Sequence, residues 1–308
     1  MKKHSILLTA LALILGLSAA NSAQAEGTGA GASKAAASAT GSSHTQAVYT
    51  AALPLLTDSG KLPQAVRYIN SNIYAVTPYQ ATVLVLKLEN VHKAGLKVWA
   101  SKFNNSAVQR RLGSIYTAGA SMAKLAESTD DSSLRTLLKG AGESGYKLET
   151  AEGTFFPVID YAAYRKYKLY VTSDIRDYIT IMAAESALPS SKDNGLVIGW
   201  SEVAARALSQ EQFVRTYPKS NRIAAVKQLY AMYETDTFYG QNNTPLFHYD
   251  SLEMDLEAQK AYSSILSKNT GSSPFLDKLE GFMKLLKENG FKLDDAVESY
   301  RKAEVPVS

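Results

Sequence analysis

The sequence predicts a mainly α fold: helical hairpins packed as a repeat-like array, with at most one short β-hairpin near residues 146–159. Two observations carry this. Apolar residues recur at steps of three, four or seven through most segments after Thr77, the spacing that lines up one buried face of a helix. Alternation at period two, which a half-buried strand needs, is confined to 146–159. The stretch 153–239 organises the rest. In it Tyr161, Tyr164, Val171, Ile175, Tyr178, Ile181 and Met182 make one helical stripe, and Trp200, Val203, Ala204, Ala207, Leu208 and Phe213 make a second that can pack against it.

From the amino end, residues 1–25 read as a signal peptide: Lys2 and Lys3, an apolar run over 6–17, and the small residues Ala23 and Ala25 of an A-x-A cleavage site. The apolar run is shorter than the roughly 20 residues of a membrane-spanning helix. Residues 26–46, nearly all Gly, Ala, Ser and Thr, read as a disordered linker because they offer little apolar surface to offset ordering entropy. The expected location is secreted, extracellular or associated with the cell envelope. With 308 residues, 45% of them hydrophobic, the chain can build a sizeable core or two modest domains, expected at 47–145 and 146–308. Cysteine is absent, which excludes thiol chemistry and leaves stability to packing. The net charge of +4 includes both signal lysines, and no Lys/Arg cluster tracks phosphates, so nucleic acid is not an expected partner. No later run of about 18 apolar residues exists to span a membrane.

Two long helices are expected at 78–103 and 106–128, joined by Asn104-Asn105. Thr77 and Pro78 suit the start of the first, whose inward stripe is read as Val83, Leu86, Asn90, Ala94 and Val98. A third helix near 131–139 starts at Asp130 and Asp131 and stops at Gly140 and Gly142. The hairpin follows, with Ala151-Glu152-Gly153 as a three-residue link and Pro157 marking an edge strand. Beyond Ile159 the chain reads as helical, with a break at Thr172 or Ser173 and loops at 189–195 and 240–245.

Glu211-Gln-Phe213-Val-Arg-Thr-Tyr217-Pro218-Lys-Ser220, followed by Val226, Leu229, Tyr230 and Tyr233, resembles a tetratricopeptide-type helical hairpin. A second match runs from Tyr262 and Ile265 through Asn269 to Leu279, Phe282, Met283 and Leu286, so the resemblance covers about residues 200–290. It implies a scaffold that binds a partner along stacked helices. The wider pattern from Thr154-Phe-Phe-Pro-Val-Ile-Asp-Tyr161 to Asn242-Asn-Thr-Pro-Leu-Phe-His-Tyr-Asp250 is similar to secreted, uncharacterised proteins of Gram-positive bacteria, which implies no particular activity.

Glu185 is the acid that stands out, because it extends the stripe of Tyr178 and Ile181. Glu185-Ser186 followed by Gly195-Leu196 resembles the catalytic segment of lytic transglycosylases, although Val197-Ile198 stands where that family has Met-Gln. The structural reading pairs Glu185 with Arg206, which Glu202 can join from one turn away. Tyr161 and Tyr164 offer rings that could stack on a sugar, or that pack in the core. Candidate binding residues are therefore Tyr161, Tyr164, Glu185, Trp200, Arg206, Asn243 and Tyr249. No metal or cofactor is expected: His92 and His248 have no H-x-x-x-H or H-E partner, and no nucleotide or G-x-S-x-G motif is present. The leading expectation is a secreted, non-catalytic helical protein that binds a partner protein or a cell-envelope component such as cell-wall glycan. The alternative is a glycan-cleaving or glycan-binding envelope enzyme using Glu185.

Overall fold

The Thr77 hydroxyl accepts a hydrogen bond from Gln80 N at 3.3 Å, while Gln80 Oε1 accepts one from Thr77 N at 3.1 Å. This capping box, with Pro78 in the first turn, starts the 26-residue helix Pro78–Phe103. The computed structural model describes residues 32–269 and 271–307, with the backbone alone for 32–41. The expected signal peptide, 1–25, and residues 26–31 of the expected linker lie outside the described residues. Two compact units result, 1–41 and Ser42–Ser308. In the first, the described residues 32–41 are helical.

The fold is mainly α. In chain order its α-helices are α1 (Ala32–Ala52), α2 (Leu62–Asn72), α3 (Pro78–Phe103), α4 (Ser106–Ile115), α5 (Met122–Glu127), α6 (Ser132–Glu143), α7 (Ser173–Ala187), α8 (Trp200–Thr216), α9 (Ile223–Tyr239), α10 (Leu256–Lys268), α11 (Pro274–Glu288) and α12 (Asp295–Glu304). Helix α1 covers 42–46, which composition assigned to the linker. Gln46 is tied there by the Gln80 side chain, which donates to its Oε1 at 3.2 Å. The expected halves, 47–145 and 146–308, share the single unit Ser42–Ser308.

Four local corrections have clear physical causes. In α3 the buried residues are Ala81, Leu84, Val85, Leu88, Val91 and Gly95, not the stripe of Val83, Leu86, Asn90, Ala94 and Val98. The inward face also carries Thr82, Glu89 and His92, and these polar residues hide its apolar period. The helix expected at 106–128 is two, α4 and α5, because Tyr116 turns extended, Gly119 takes φ +75° and Ser121 caps afresh. Gly140 and Gly142 do not stop α6. A Cβ would lie 3.1 Å from the Trp99 ring at Gly140 and 2.9 Å from Met122 Cβ at Gly142, so both are sites of close packing. The hairpin of β1 (Tyr146–Ala151) and β2 (Thr154–Ile159) has a two-residue turn, Glu152-Gly153, with φ +48° and +71°, the conformation whose twist matches antiparallel strands.

Two further ladders of two residues each were not expected: β3 (Ser191–Lys192) with β4 (Gly195–Leu196), and β5 (Gly240–Gln241) with β6 (Thr244–Pro245). Together with Asn289-Gly290, before the bridge of Lys292 to Glu253, they show one unit used four times: helix, tight polar turn, short apolar run, helix. The turns are Glu152-Gly153, Asp193-Asn194, Asn242-Asn243 and Asn289-Gly290, at intervals of about 40–50 residues, a period that helical arrays use. In three of the four the next helical turn is capped by an aspartate, Asp160, Asp255 or Asp294.

Helix α7 joins the cores of the second unit. Its Ile175 and Ile179 pack with α2, α3 and the aromatic 3-10 turn Tyr161–Tyr167, while Tyr178 and Ile181 pack with Phe213 of α8 and Val226 of α9. A third core is built on Phe103, Leu112, Leu125, Leu134 and Leu138, and a fourth around α8 to α12.

Asp236, near the end of α9, is buried, and among the described residues no cation pairs with it. Its carboxylate accepts from Gln241 Nε2 at 3.2 and 3.3 Å, and burial pushes its pKa up to about 6. Raised above its unfolded value, the group favours folding only when protonated, so its ionisation costs stability as pH climbs from about 4 through 6. Asp236→Asn is expected to stabilise the protein by up to about 3 kcal/mol at pH 7.5, with the difference vanishing below pH 4. Urea midpoints of both proteins across that range check it.

Candidate functional site

Helices α7 and α8 meet along a shallow groove of about 200 Å³. The sequence places it by two coincident stripes. On α7, Tyr178, Ile181 and Glu185 follow one another on one face, and on α8, Val203, Arg206, Ala207 and Gln210 do the same. Small residues at Ala184, Ala205 and Ser209 keep the space between the helices open.

At one end the Arg206 guanidinium is held from four sides. Its Nε donates to Glu202 Oε1 at 2.8 Å, and Nη1 donates to Leu188 O at 2.9 Å, to the Tyr233 hydroxyl at 3.0 Å and to Glu185 Oε1 at 3.4 Å. The Tyr233 hydroxyl lies 2.8 and 2.7 Å from the two Glu185 oxygens. The expected Glu185–Arg206 pair is therefore present, Glu202 joins it, and Tyr233 is the fourth member. Burial raises the Glu185 carboxyl above its ordinary value, and the Tyr233 hydrogen bond and the Arg206 charge offset this only in part.

Farther along the groove lies Gln210, 1% exposed. Among the described residues neither its Nε2 nor its Oε1 has a hydrogen-bond partner. A buried amide left unpaired costs on the order of 1–3 kcal/mol per group, so the position is an expensive place for glutamine.

The remaining candidates fall elsewhere. Tyr161 and Tyr164 are core residues, and their hydroxyls point inward: Tyr161 donates to Glu89 Oε1 at 2.7 Å and Tyr164 meets His92 Nδ1 at 2.6 Å. A sugar has no access to those rings, which corrects the stacking-platform expectation. His92 Nε2 donates to Ser144 O at 2.7 Å, so Nδ1 accepts from Tyr164. Burial depresses the His92 pKa to about 4, leaving a neutral structural imidazole. Trp200 is also buried, edge-on to Tyr262. Asn243 and Tyr249 are exposed near the third turn, where the Tyr249 hydroxyl donates to Asn242 O at 3.0 Å. Asn243 also joins the second and third turns, with its N donating to Asn194 O at 2.8 Å and its Nδ2 to Asp193 O at 2.6 Å.

No protein-family model, curated protein or solved structure matches the chain. Among the described residues no group of three or more His, Cys, Asp or Glu is placed to hold a metal ion, and no helix is long and apolar enough to cross a membrane. Gln210 and Tyr233 were missed as site residues. The signal for Gln210 was legible: it is a polar residue at a stripe position, one turn after Ala207. Tyr233 had none, because nothing in the sequence aims its hydroxyl at a glutamate 48 residues earlier.

Proposed function

We propose that this chain is a secreted, non-catalytic helical protein that binds a partner protein or a component of the cell envelope, with α8 to α11 acting as a tetratricopeptide-like scaffold. The observation that carries the reading is the engagement of Glu185. Both of its oxygens face the Tyr233 hydroxyl, and Arg206 is held between it and Glu202. Carboxylate pairs that cleave glycosidic bonds keep the space between them for sugar and water. Here a guanidinium fills it. Stacked hairpins such as α8 and α9, linked through Tyr217-Pro218, present continuous surfaces suited to a partner.

One observation favours the alternative, a glycan-cleaving or glycan-binding envelope enzyme: the raised pKa of Glu185 beside an open groove, which a general acid needs. The same raised pKa means that ionised Glu185 contributes no net stability above its unfolded pKa. Glu185→Gln keeps the shape and one acceptor for Tyr233 and Arg206, so it is expected to change stability at pH 7 by less than about 1 kcal/mol. The test is cosedimentation of the mature chain, wild type and Glu185→Gln, with purified cell-wall material before and after protease treatment. Saturable binding by both proteins supports the scaffold, and protease treatment tells glycan from protein as the component bound. Failure of the wild type to bind either preparation contradicts it.

A further inference from the structure

We propose that the groove between α7 and α8 is a binding site for the acylamino group of an N-acylated amino sugar, with the Gln210 side chain as its recognition element. The proposal rests on the envelope-binding reading above and gives that reading a site and a ligand class. Three observations converge. Gln210 is almost fully buried, and its amide nitrogen and oxygen are both unpartnered among the described residues. The residue is one of those that line the groove between the two helices. Ile181, Ala184 and Ala205 line the same groove and offer a small apolar surface.

A carboxamide has a donor and an acceptor side by side, and the group that satisfies both at once is a second amide, C=O toward Nε2 and N–H toward Oε1. The acyl methyl of such a group rests on Ile181 and Ala184, while sugar hydroxyls reach the exposed Ser209 and the half-exposed Glu202 carboxylate at the rim. A volume of about 200 Å³ suits one such substituent and the ring that bears it, not an extended peptide. Among the described residues the groove also lies between two helices and has no strand edge on which a peptide backbone could pair. Glu185 and Arg206, already bound to one another, also line the groove.

The test is a titration of the isotopically labelled mature chain, followed through the Gln210 side-chain NH₂ resonances, assigned by their loss in Gln210→Leu. The probes are the N-acetylglucosamine dimer, the glucosamine dimer without acetyl groups, and an acetylated, amidated dipeptide. The expected result is saturable displacement of the Gln210 signals by the acetylated sugar only, with affinity reduced at least tenfold in Gln210→Leu. Gln210→Leu is also expected to be as stable as the wild type or more so, which separates lost binding from lost folding. Gln210→Glu, which keeps the size and one acceptor but loses the donor, is expected to weaken binding in the same direction. Displacement by the dipeptide instead of the sugar overturns the sugar assignment. Equal sugar binding by wild type and Gln210→Leu overturns the site while leaving envelope binding standing. Absence of any shift, with only ordered water beside Gln210 in a crystal soaked with the acetylated dimer, overturns the site in the same way. Loss of binding to whole envelope material by the wild type would instead remove the reading on which it rests.

Discussion

Glu89→Gln is expected to lower the free energy of unfolding at pH 7 by about 3–5 kcal/mol, the usual cost of removing one partner from a buried ion pair. Glu89 is 2% exposed, and its two oxygens are saturated. Oε1 accepts from Tyr161 OH at 2.7 Å, Tyr178 OH at 2.6 Å and Lys93 Nζ at 2.7 Å, and Oε2 accepts from Arg222 Nε at 2.8 Å and Nη2 at 2.6 Å. Every neighbour is a donor, so the NH₂ of glutamine faces either two hydroxyls or a guanidinium. It also leaves Arg222 buried without its counter-charge. The cluster joins α3, the 3-10 turn Tyr161–Tyr167, α7 and the start of α9, so its loss loosens four elements at once. Burial alone would raise the Glu89 pKa, but Arg222 and then Lys93 outweigh it and hold the carboxyl below its ordinary value. A depressed folded pKa gives stability that is present above the unfolded value near 4.5 and lost as pH falls through the folded one. The difference between wild type and Glu89→Gln is therefore expected to shrink below pH 4.5, as that of Asp236→Asn does, but with the opposite sign: Glu89→Gln destabilises at neutral pH where Asp236→Asn stabilises. Arg222→Met should destabilise as well, and the double variant should lose less than the sum of the two. Urea denaturation at pH 7 and in an acid series measures all of this. A Glu89→Gln protein as stable as the wild type at pH 7 would contradict it.

The second large effect is expected at Gly240, where alanine should cost about 3 kcal/mol or more. Gly240 ends α9 with φ +71° and ψ −155°, a region that only glycine enters without strain. A Cβ there would also lie 2.6 Å from Leu246 N and 2.9 Å from the Pro245 carbonyl carbon, and backbone atoms cannot swing aside. Gly199 before α8 provides the control. Its φ is −72°, nothing lies within 4 Å of a Cβ built on it, and alanine is expected to be neutral or stabilising by a few tenths of a kcal/mol. Differential scanning calorimetry of the two alanine variants should show a fall of several degrees in Tm for Gly240→Ala and none for Gly199→Ala. Similar Tm values for both would contradict the reading of the third turn.

What the sequence made legible follows the strength of each local signal. The start of α3 was clear because Thr77, Pro78 and Gln80 form a complete capping signal, and the break before α7 because Thr172 and Ser173, followed by Asp174, are residue types that start helices. The inward face of α3 was not legible, since Thr82, Glu89 and His92 are buried there with partners 90, 133 and 52 residues away, which no local period shows. Glycines at 140 and 142 carry the same letter as a helix stop and differ only in having Trp99 and Met122 against them. Two-residue ladders are too short for an alternating pattern, so β3 to β6 left only their turn residues as a sign. At the candidate site the pairing of Glu185 with Arg206 followed from two helical stripes. Tyr233 and the unpaired amide of Gln210 depend on how α8 and α9 are rotated against α7, which side-chain packing decides.

The most direct measurement is release of soluble reducing ends from purified cell-wall glycan by the wild-type protein and by Glu185→Gln, both at pH 5 and pH 7. With Glu185 held by Tyr233 and Arg206 as a structural carboxylate, neither protein should release fragments above the no-protein control, at a concentration where cosedimentation shows both bound. Release by the wild type that disappears in a stably folded Glu185→Gln would contradict the account and make Glu185 a catalytic acid.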